Sequence, residues 1–326
     1  MHPDAPALDA ISFLLMWTAV AIYALAFIAY AFDLARRSQA SLERADAKVL
    51  VGAGAGAPSE LPPGAAVAAR VAERKTRLFG RIGTVLTVLG WLFHLTGTVL
   101  RGVAAGRVPW SNMYEFAMTG TLLITAVYLG VLFWRDLRFL GTFMVGLVTV
   151  LMGAATLYHV DVVPLMDPLK SVWLVVHVFV ASLATAFLAL GFGLSVLQLL
   201  QARRERLAVD AEPKRSFLGT LPSAEALEGL AYRFAIIGFI FWTFTLIAGS
   251  IWAQDAWGRY WGFDTKEVWT FIIWVLYAGY IHARATRGWR GTRSAWLSIV
   301  GFIAVIFNFT IVNQFFQGLH AYSGLS

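Results

Sequence analysis

Residues 252–269 read WAQDAWGRYWGFDTKEVW, and the apolar stretches 231–251 and 267–283 run into this segment from either side. Trp252, Trp257, Tyr260, Trp261, Phe263 and Trp269 place six large aromatics within eighteen residues, with Asp255, Asp264, Lys266 and Glu267 between them. The segment is too polar to cross a bilayer and too aromatic to be an ordinary solvated loop. Four indole faces gathered at one membrane boundary suit a large, flat, apolar ligand with charged edges, and a porphyrin fits that description. An interfacial aromatic belt is the plainer alternative. A belt, however, spreads over all helix ends, whereas four of the thirteen Trp residues fall in this one loop.

The flanking pattern extends along the whole chain. Of 326 residues, 59% are hydrophobic and only 14% charged, and the mean hydropathy is +0.68. A bilayer core takes about 20 apolar residues per helix. Eight such stretches can be marked, at roughly 10–32, 79–100, 113–134, 139–157, 172–199, 231–251, 267–283 and 295–313. The expected fold is therefore an all-α, polytopic transmembrane bundle of about eight helices, in contact with lipid. Its N-terminal anchor is residues 1–32, a flexible basic linker (33–78) follows, and 79–326 form the main domain around segment 252–269. The stretch VGAGAGAPSELPPGAAVAA within 40–70 has no amphipathic period, which suits a linker.

Charge orients the bundle. Placing 33–81, 135–138, 201–233 and 284–293 on one side gives that side 21 of the 26 Lys and Arg residues; Arg101, Arg107, Lys170, Arg259 and Lys266 remain opposite. By the positive-inside rule both termini and the aromatic segment face outward, into a periplasm-like space beyond the plasma (inner) membrane. The net charge of +7 is that of basic cytoplasmic loops and calls for no nucleic acid. Cysteine is absent, which excludes disulfides, thiolate metal ligands and thiol exchange by this chain.

The histidines divide by depth. His177 lies about one turn inside the outer end of its helix, and His320 follows the last helix on the same side. Two neutral imidazoles approaching from opposite faces complete six-coordinate haem iron. His282 lies near the cytoplasmic end of the helix after the aromatic segment, and His94 in the outer half of the second, so the two sit at different depths. If His282 is a ligand, its mate comes from another chain. Each intramembrane His is a functional-site hypothesis, with a helix-packing hydrogen bond as the alternative. His159, in the outer loop, is either a spare ligand or solvated. Arg101, Arg107, Arg259 and Lys266 are candidate partners for propionates, although Lys266 and Glu267 can also be read as a snorkelling pair. Asp264 is well placed to cap the following helix.

These residues also carry a family resemblance. The run Trp252 to Trp269 resembles the tryptophan-rich WWD domain of haem-handling membrane proteins. Pro109-Trp-Ser-Asn112-Met-Tyr114-Glu115 resembles the P-x-S-N-x-Y-E stretch of the CcsA/ResC branch of System II cytochrome c biogenesis, called CcsB in some actinobacteria. The family often has Trp where Phe263 stands and Pro where Thr265 stands. The resemblance covers roughly 90–326 and implies a component of a cytochrome c synthase (haem lyase) complex. Such a component holds haem b non-covalently at an outer site, with His177 and His320 as axial ligands and Trp252, Trp257, Trp261, Asp264 and Trp269 around it. His94, Arg259, Lys266, Asn112 and Glu115 are weaker site candidates. The implied partners are a membrane-bound ResB-like subunit, completing a transmembrane haem with His282, and apocytochrome c, whose Cys-x-x-Cys-His motif receives the haem. Other proteins must keep the apocytochrome thiols reduced. The rival readings are a di-haem cytochrome b, which usually pairs histidines within one chain at matched depths, and a small-molecule transporter, which places breaks and charges at mid-membrane.

Overall fold

The computed structural model describes residues 4–53, 78–207, 217–286, 288–316 and 318–319. Among them the chain is helical, with no strand: α1 (Ala5–Ala53), α2 (Leu78–Ala105), α3 (Met113–Leu132), α4 (Gly141–Ala155), α5 (Val172–Leu207), α6 (Ala224–Trp257), α7 (Thr265–Thr286), α8 (Thr292–Phe309) and the short α9 (Ile311–Phe315). Seven segments are long and apolar enough to cross a membrane: Ala5–Arg37, α2, α3, Arg138–Tyr158, α5, α6 and Thr292–Phe315. The protein is a multi-pass membrane protein. The expected eighth span, 267–283, falls in α7, which is not among the seven. At 22 residues it is about 33 Å long and could cross a bilayer. Trp269, Trp274, Tyr277, Tyr280 and His282 lower its hydropathy. A further difference lies at the N-terminus, where α1 continues past the expected boundary at residue 32 as far as Ala53. Of the expected linker, 54–77 lie outside the described residues.

Helix α5 is central, packing on α3, α6 and α8, while α1 pairs with α2 and also meets α4. The α1–α2 contact is built on a seven-residue match of large against small. A Cβ at Gly83 or Gly90 would stand 2.9 Å from the rings of Tyr30 and Tyr23, and one at Gly97 would stand 3.0 Å from the Met16 sulfur. Packing of this kind drives helix association where lipid offers no hydrophobic gain. Ser12 Oγ donates to Gly97 O (2.7 Å), and Gly80 N donates to Asp33 Oδ1 (2.9 Å).

A buried charge cluster pins this pair to α3. Arg101, on α2, is 0% exposed. Its Nε donates to Glu115 Oε1 (3.0 Å) and its Nη2 to Val160 O (2.8 Å), while Nη1 pairs with Asp9 of α1. Arg107 Nη1 reaches Glu115 Oε2 at 2.6 Å. Removing one member of a buried pair strands the other charge, at a cost of about 3–5 kcal/mol. Glu115→Ala should therefore lower the Tm of the detergent-solubilised protein by several degrees, and an unchanged Tm would show that the cluster does not hold the helices together.

Candidate functional site: an aromatic cavity at one end of the bundle

At the end of the bundle where α6 gives way to α7, a cavity of about 250 Å³ opens between α3, α5, α6, α7 and α8. Its walls bring together His177 and Ala181 of α5, Thr245, Gly249 and Trp252 of α6, Trp261 and Lys266 of the aromatic segment, Asn112 at the start of α3, and Asn308 and Phe309 of α8. Residues separated by some 200 positions in sequence thus share one chamber.

His177 is held on three sides. Its Nδ1 lies 3.0 Å from Thr245 O. A carbonyl can only accept, so Nδ1 carries the proton and the neutral ring bears its lone pair on Nε2. Trp252, 2% exposed, stacks on the imidazole with centroids 5.8 Å apart and planes 16° apart. Gly249 completes the seat: a Cβ there would come within 2.7 Å of His177 Cε1. Trp257 packs edge-on against Trp252 at 4.8 Å, behind the cavity wall.

The loop between α6 and α7 is fixed by local chemistry. Helix α6 closes on Gly258, whose φ of +70° is the left-handed conformation that glycine adopts without penalty. Ser171 Oγ donates to Asp255 Oδ2 (2.6 Å), tying the start of α5 to the end of α6. At the start of α7, Asp264 O accepts from Val268 N (3.0 Å), the place of an N-cap residue. Glu267, three residues on, accepts at Oε2 from Asp264 N (3.1 Å) and Gly262 N (2.8 Å). This is the reciprocal half of a capping box. Asp264 Oδ1 in turn accepts from Leu319 N (3.2 Å), so the tail is bound to the loop. Gly318 permits this approach, since a Cβ there would collide with Asp264 Oδ1 at 2.0 Å.

The other expected site residues lie elsewhere. Trp269 stands off the lining and packs on Phe307 at 4.5 Å. The Arg259 guanidinium lies over Gly262, also off the lining. Glu115 is 0% exposed and engaged by Arg101 and Arg107, so of the Asn-Met-Tyr-Glu stretch Asn112 and Met113 line the cavity and Glu115 supports it. Asn112 also caps α3, accepting from Glu115 N at 2.9 Å. His94 takes the packing role: it is fully buried, with Nε2 2.9 Å from Met118 O and Nδ1 3.3 Å from Tyr23 OH. His159 sits against the Phe13 ring at 4.4 Å and near Asp9 at 3.5 Å. His282 is exposed at the opposite end of α7. His320 lies outside the described residues. Thr245, Gly249, Asn308 and Asn313 also line the cavity and do not stand out in sequence, although polar side chains inside apolar helices are a general signal of function.

Fold and site together define a polytopic membrane protein with an aromatic-walled chamber at one bundle end. The cytochrome c assembly protein family matches residues 110–320, and the chain belongs to that family; it serves cytochrome c biogenesis. It is 30% identical over 280 residues to the cytochrome c biogenesis protein CcsA of Trieres chinensis, covering 77% of this chain and 89% of that one. Identity with the CcsA of Guillardia theta is 33% over 252 residues, 71% and 83% of the two chains. With the CcsA of Synechococcus sp. (strain JA-3-3Ab) it is 32% over 296 residues, 75% and 84%. In fold the chain is similar to the solved cytochrome c haem lyase CcmF, with a TM-score of 0.59 at 16% identity. The match takes in 91% of this chain but 46% of that one, so the chain spans about half of CcmF.

The capping box carries a test. Glu267→Ala removes two backbone acceptances and costs the loop about 1–2 kcal/mol, whereas Glu267→Gln can keep the box. Tryptic cleavage after Arg259 in the intact protein should quicken in the first variant only; equal rates in both would mean that Glu267 does not hold the loop.

Proposed function

We propose that the cavity is a haem site, and that the chain presents haem there to apocytochrome c for covalent attachment. One observation carries the reading: the His177 imidazole is oriented by Thr245 and Trp252 inside a mostly apolar chamber whose lining includes Trp110, Trp242, Trp261 and Phe309. Among the described residues no three His, Cys, Asp or Glu side chains converge as a metal cage. A single seated imidazole suits iron within a macrocycle, which brings four nitrogens and needs only axial ligands. The fit extends to buried polar atoms on the lining that lack a hydrogen-bond partner: Asn112 Nδ2, Glu267 Oε1 and Asn308 Oδ1. A ligand with polar edges would give these atoms partners.

His177 would be one axial ligand through Nε2. His320 would be the other, and the bond from Leu319 to Asp264 supports this by tying the neighbouring residue to the aromatic loop. Trp252 and Trp261 would bound the ring, while Trp257, Trp269 and Asp264 would hold those walls in place. Bound haem supplies the iron and the two vinyl groups to which the acceptor's cysteine thiols add. The chain's own contribution is orientation and exclusion of water. The rest of the reading concerns sidedness and partners. The charge asymmetry of 21 to 5 supports an outward-facing cavity in the plasma membrane. The exposed ring of His282 at the other bundle end supports a mate on a ResB-like subunit, completing a second haem site.

The visible spectrum of the detergent-purified protein, with a pyridine haemochrome assay, tests this reading. Wild type should carry non-covalent b-type haem that is lost or weakened in His177→Ala and in His320→Ala. With haem added from outside, His282→Ala should still fill the outer site. Absence of haem from wild type, even after co-expression with other subunits, would return the aromatic segment to a membrane belt.

A further inference from the structure

We infer that Gly249 is a positioning residue for the axial ligand: the bare backbone of α6 at this point admits the His177 ring and holds it in the tautomer whose lone pair lies on Nε2. The inference rests on the haem reading above and adds to it the means by which the ligand atom is presented.

The contact is closest along one edge of the ring. A Cβ at Gly249 would stand 2.7 Å from His177 Cε1 and 2.8 Å from Nδ1, but 3.5 Å from Nε2. The Nδ1–Cε1 edge is therefore the one laid against α6, and Nε2 is turned further from that helix. Four residues before Gly249, Thr245 O receives the Nδ1 proton at 3.0 Å. Three residues after it, Trp252 lies nearly parallel to the imidazole. Positions spaced by four and by three share one helix face, and Thr245, Gly249 and Trp252 all line the cavity with His177. A methyl group at 249 would have to push the ring away from α6 and lengthen its bond to Thr245 O.

Packing alone does not account for a histidine in this place. Helices α5 and α6 lie side by side. Eleven residues on along α5 and eleven back along α6 the same arrangement recurs, where a Cβ at Gly238 would stand 2.5 Å from Leu188 Cδ2. Eleven residues are close to three helical turns, so the two glycines occupy equivalent places on the α6 face. At Gly238 the occupant is a hydrocarbon chain, which makes the contact with no polar atom to place. At Gly249, on the cavity, the occupant is an imidazole whose seat also supplies a hydrogen-bond acceptor and a stacking face. His94 gives the contrast within one molecule. There Nε2 is the atom 2.9 Å from a carbonyl, that of Met118, so the ring is held in the opposite tautomer and Nε2 serves packing.

Histidine-selective nitrogen NMR of the ligand-free full chain, paired with a Soret titration with haemin, tests the seat. Wild type should give one neutral ring protonated at Nδ1, absent from His177→Ala. Gly249→Ala should shift that signal towards the Nε2–H form and weaken haemin binding about tenfold or more, as overpacking of a fitted contact does. The helix itself is not weakened, since Ala is the better helix former. Gly238→Ala, the matched change at the Leu188 contact, should lower the Tm yet leave the His177 signal unchanged and haemin affinity within about twofold. In His177→Ala, where the ring is gone, adding Gly249→Ala should cause no further loss of Tm or of haemin binding. A further loss there would overturn the inference. So would comparable losses of haemin in Gly238→Ala and Gly249→Ala, or an Nδ1–H signal and haemin affinity that survive Gly249→Ala. A wild type that shows the Nδ1–H ring but binds no haemin would overturn the haem reading and the ligand role with it, and the NMR arm tells that failure apart from failure of the seat.

Discussion

The buried contact between Arg101 and Glu115 is the constraint on which the rest of the architecture depends. Taking either charge out of water costs several kcal/mol, and attraction recovers that only when the remaining hydrogen-bonding capacity is also met. Here it is met. Glu115 accepts from Arg101 Nε, from two nitrogens of Arg107, and from both the backbone and the hydroxyl of Ser111. Arg101 directs its other nitrogens to Asp9 and Val160 O. One carboxylate thus joins α2, α3 and the loop between them, and through Arg101 it reaches α1 and the loop after α4. The α2–α3 loop carries Trp110 and Asn112, so the charge cluster outside the cavity sets where one wall of the cavity stands.

The facing wall is set by different bonds. Between Gly258 and Asp264 the chain turns back on itself with few backbone bonds of its own, and the side chains of Glu267 and Asp264 provide acceptors for Gly262, Asp264 and Leu319. The turn is not free of strain. Phe263 holds φ at +57° although it is not glycine, a conformation costing of order 1–2 kcal/mol, and its ring is 80% exposed. A cap that over-determines the loop tolerates such a residue; an unsupported loop would relax it. Rigidity of this kind is what a binding wall requires. Dispersion attraction falls off steeply with separation, so an indole face that drifts by an ångström holds a flat ligand much more weakly.

Much of this is legible in the sequence, and the limits have physical causes. Hydropathy marks segments that must bury backbone in lipid, so the succession of helices can be read directly, whereas the aromatic segment 252–269 is a loop only over 258–264, its two ends being the last turns of α6 and the first of α7. Helix α7 shows where that signal thins: it is long enough to cross, but its Trp, Tyr and His residues carry polar tips that hydropathy counts against it. The cations themselves are readable, but not their partners, because ion pairing depends on which helices meet. Glu115, a candidate ligand contact by sequence, is therefore a structural anchor, and His94 is a packing residue bonded to Met118 O and Tyr23. One further signal lies in the spacing: Gly83, Gly90 and Gly97 repeat every seven residues, opposite Tyr30, Tyr23 and Met16 at the same interval. A heptad of glycines in an apolar helix marks a face for another helix.

The two ends of α7 also limit what the histidines can do together. Lys266 lines the cavity and His282 follows sixteen residues later on the same continuous helix, about 24 Å along its axis. Between them, Trp242, Ile273 and Phe302 belong to one packed core with Tyr277. A flat group whose metal is held by His177 is therefore far outside the reach of His282. Side-chain rotation moves an imidazole by only a few ångströms, and sliding α7 would break the capping box and the Arg284–Glu228 contact at 3.2 Å together. The two histidines therefore belong to separate places on the molecule.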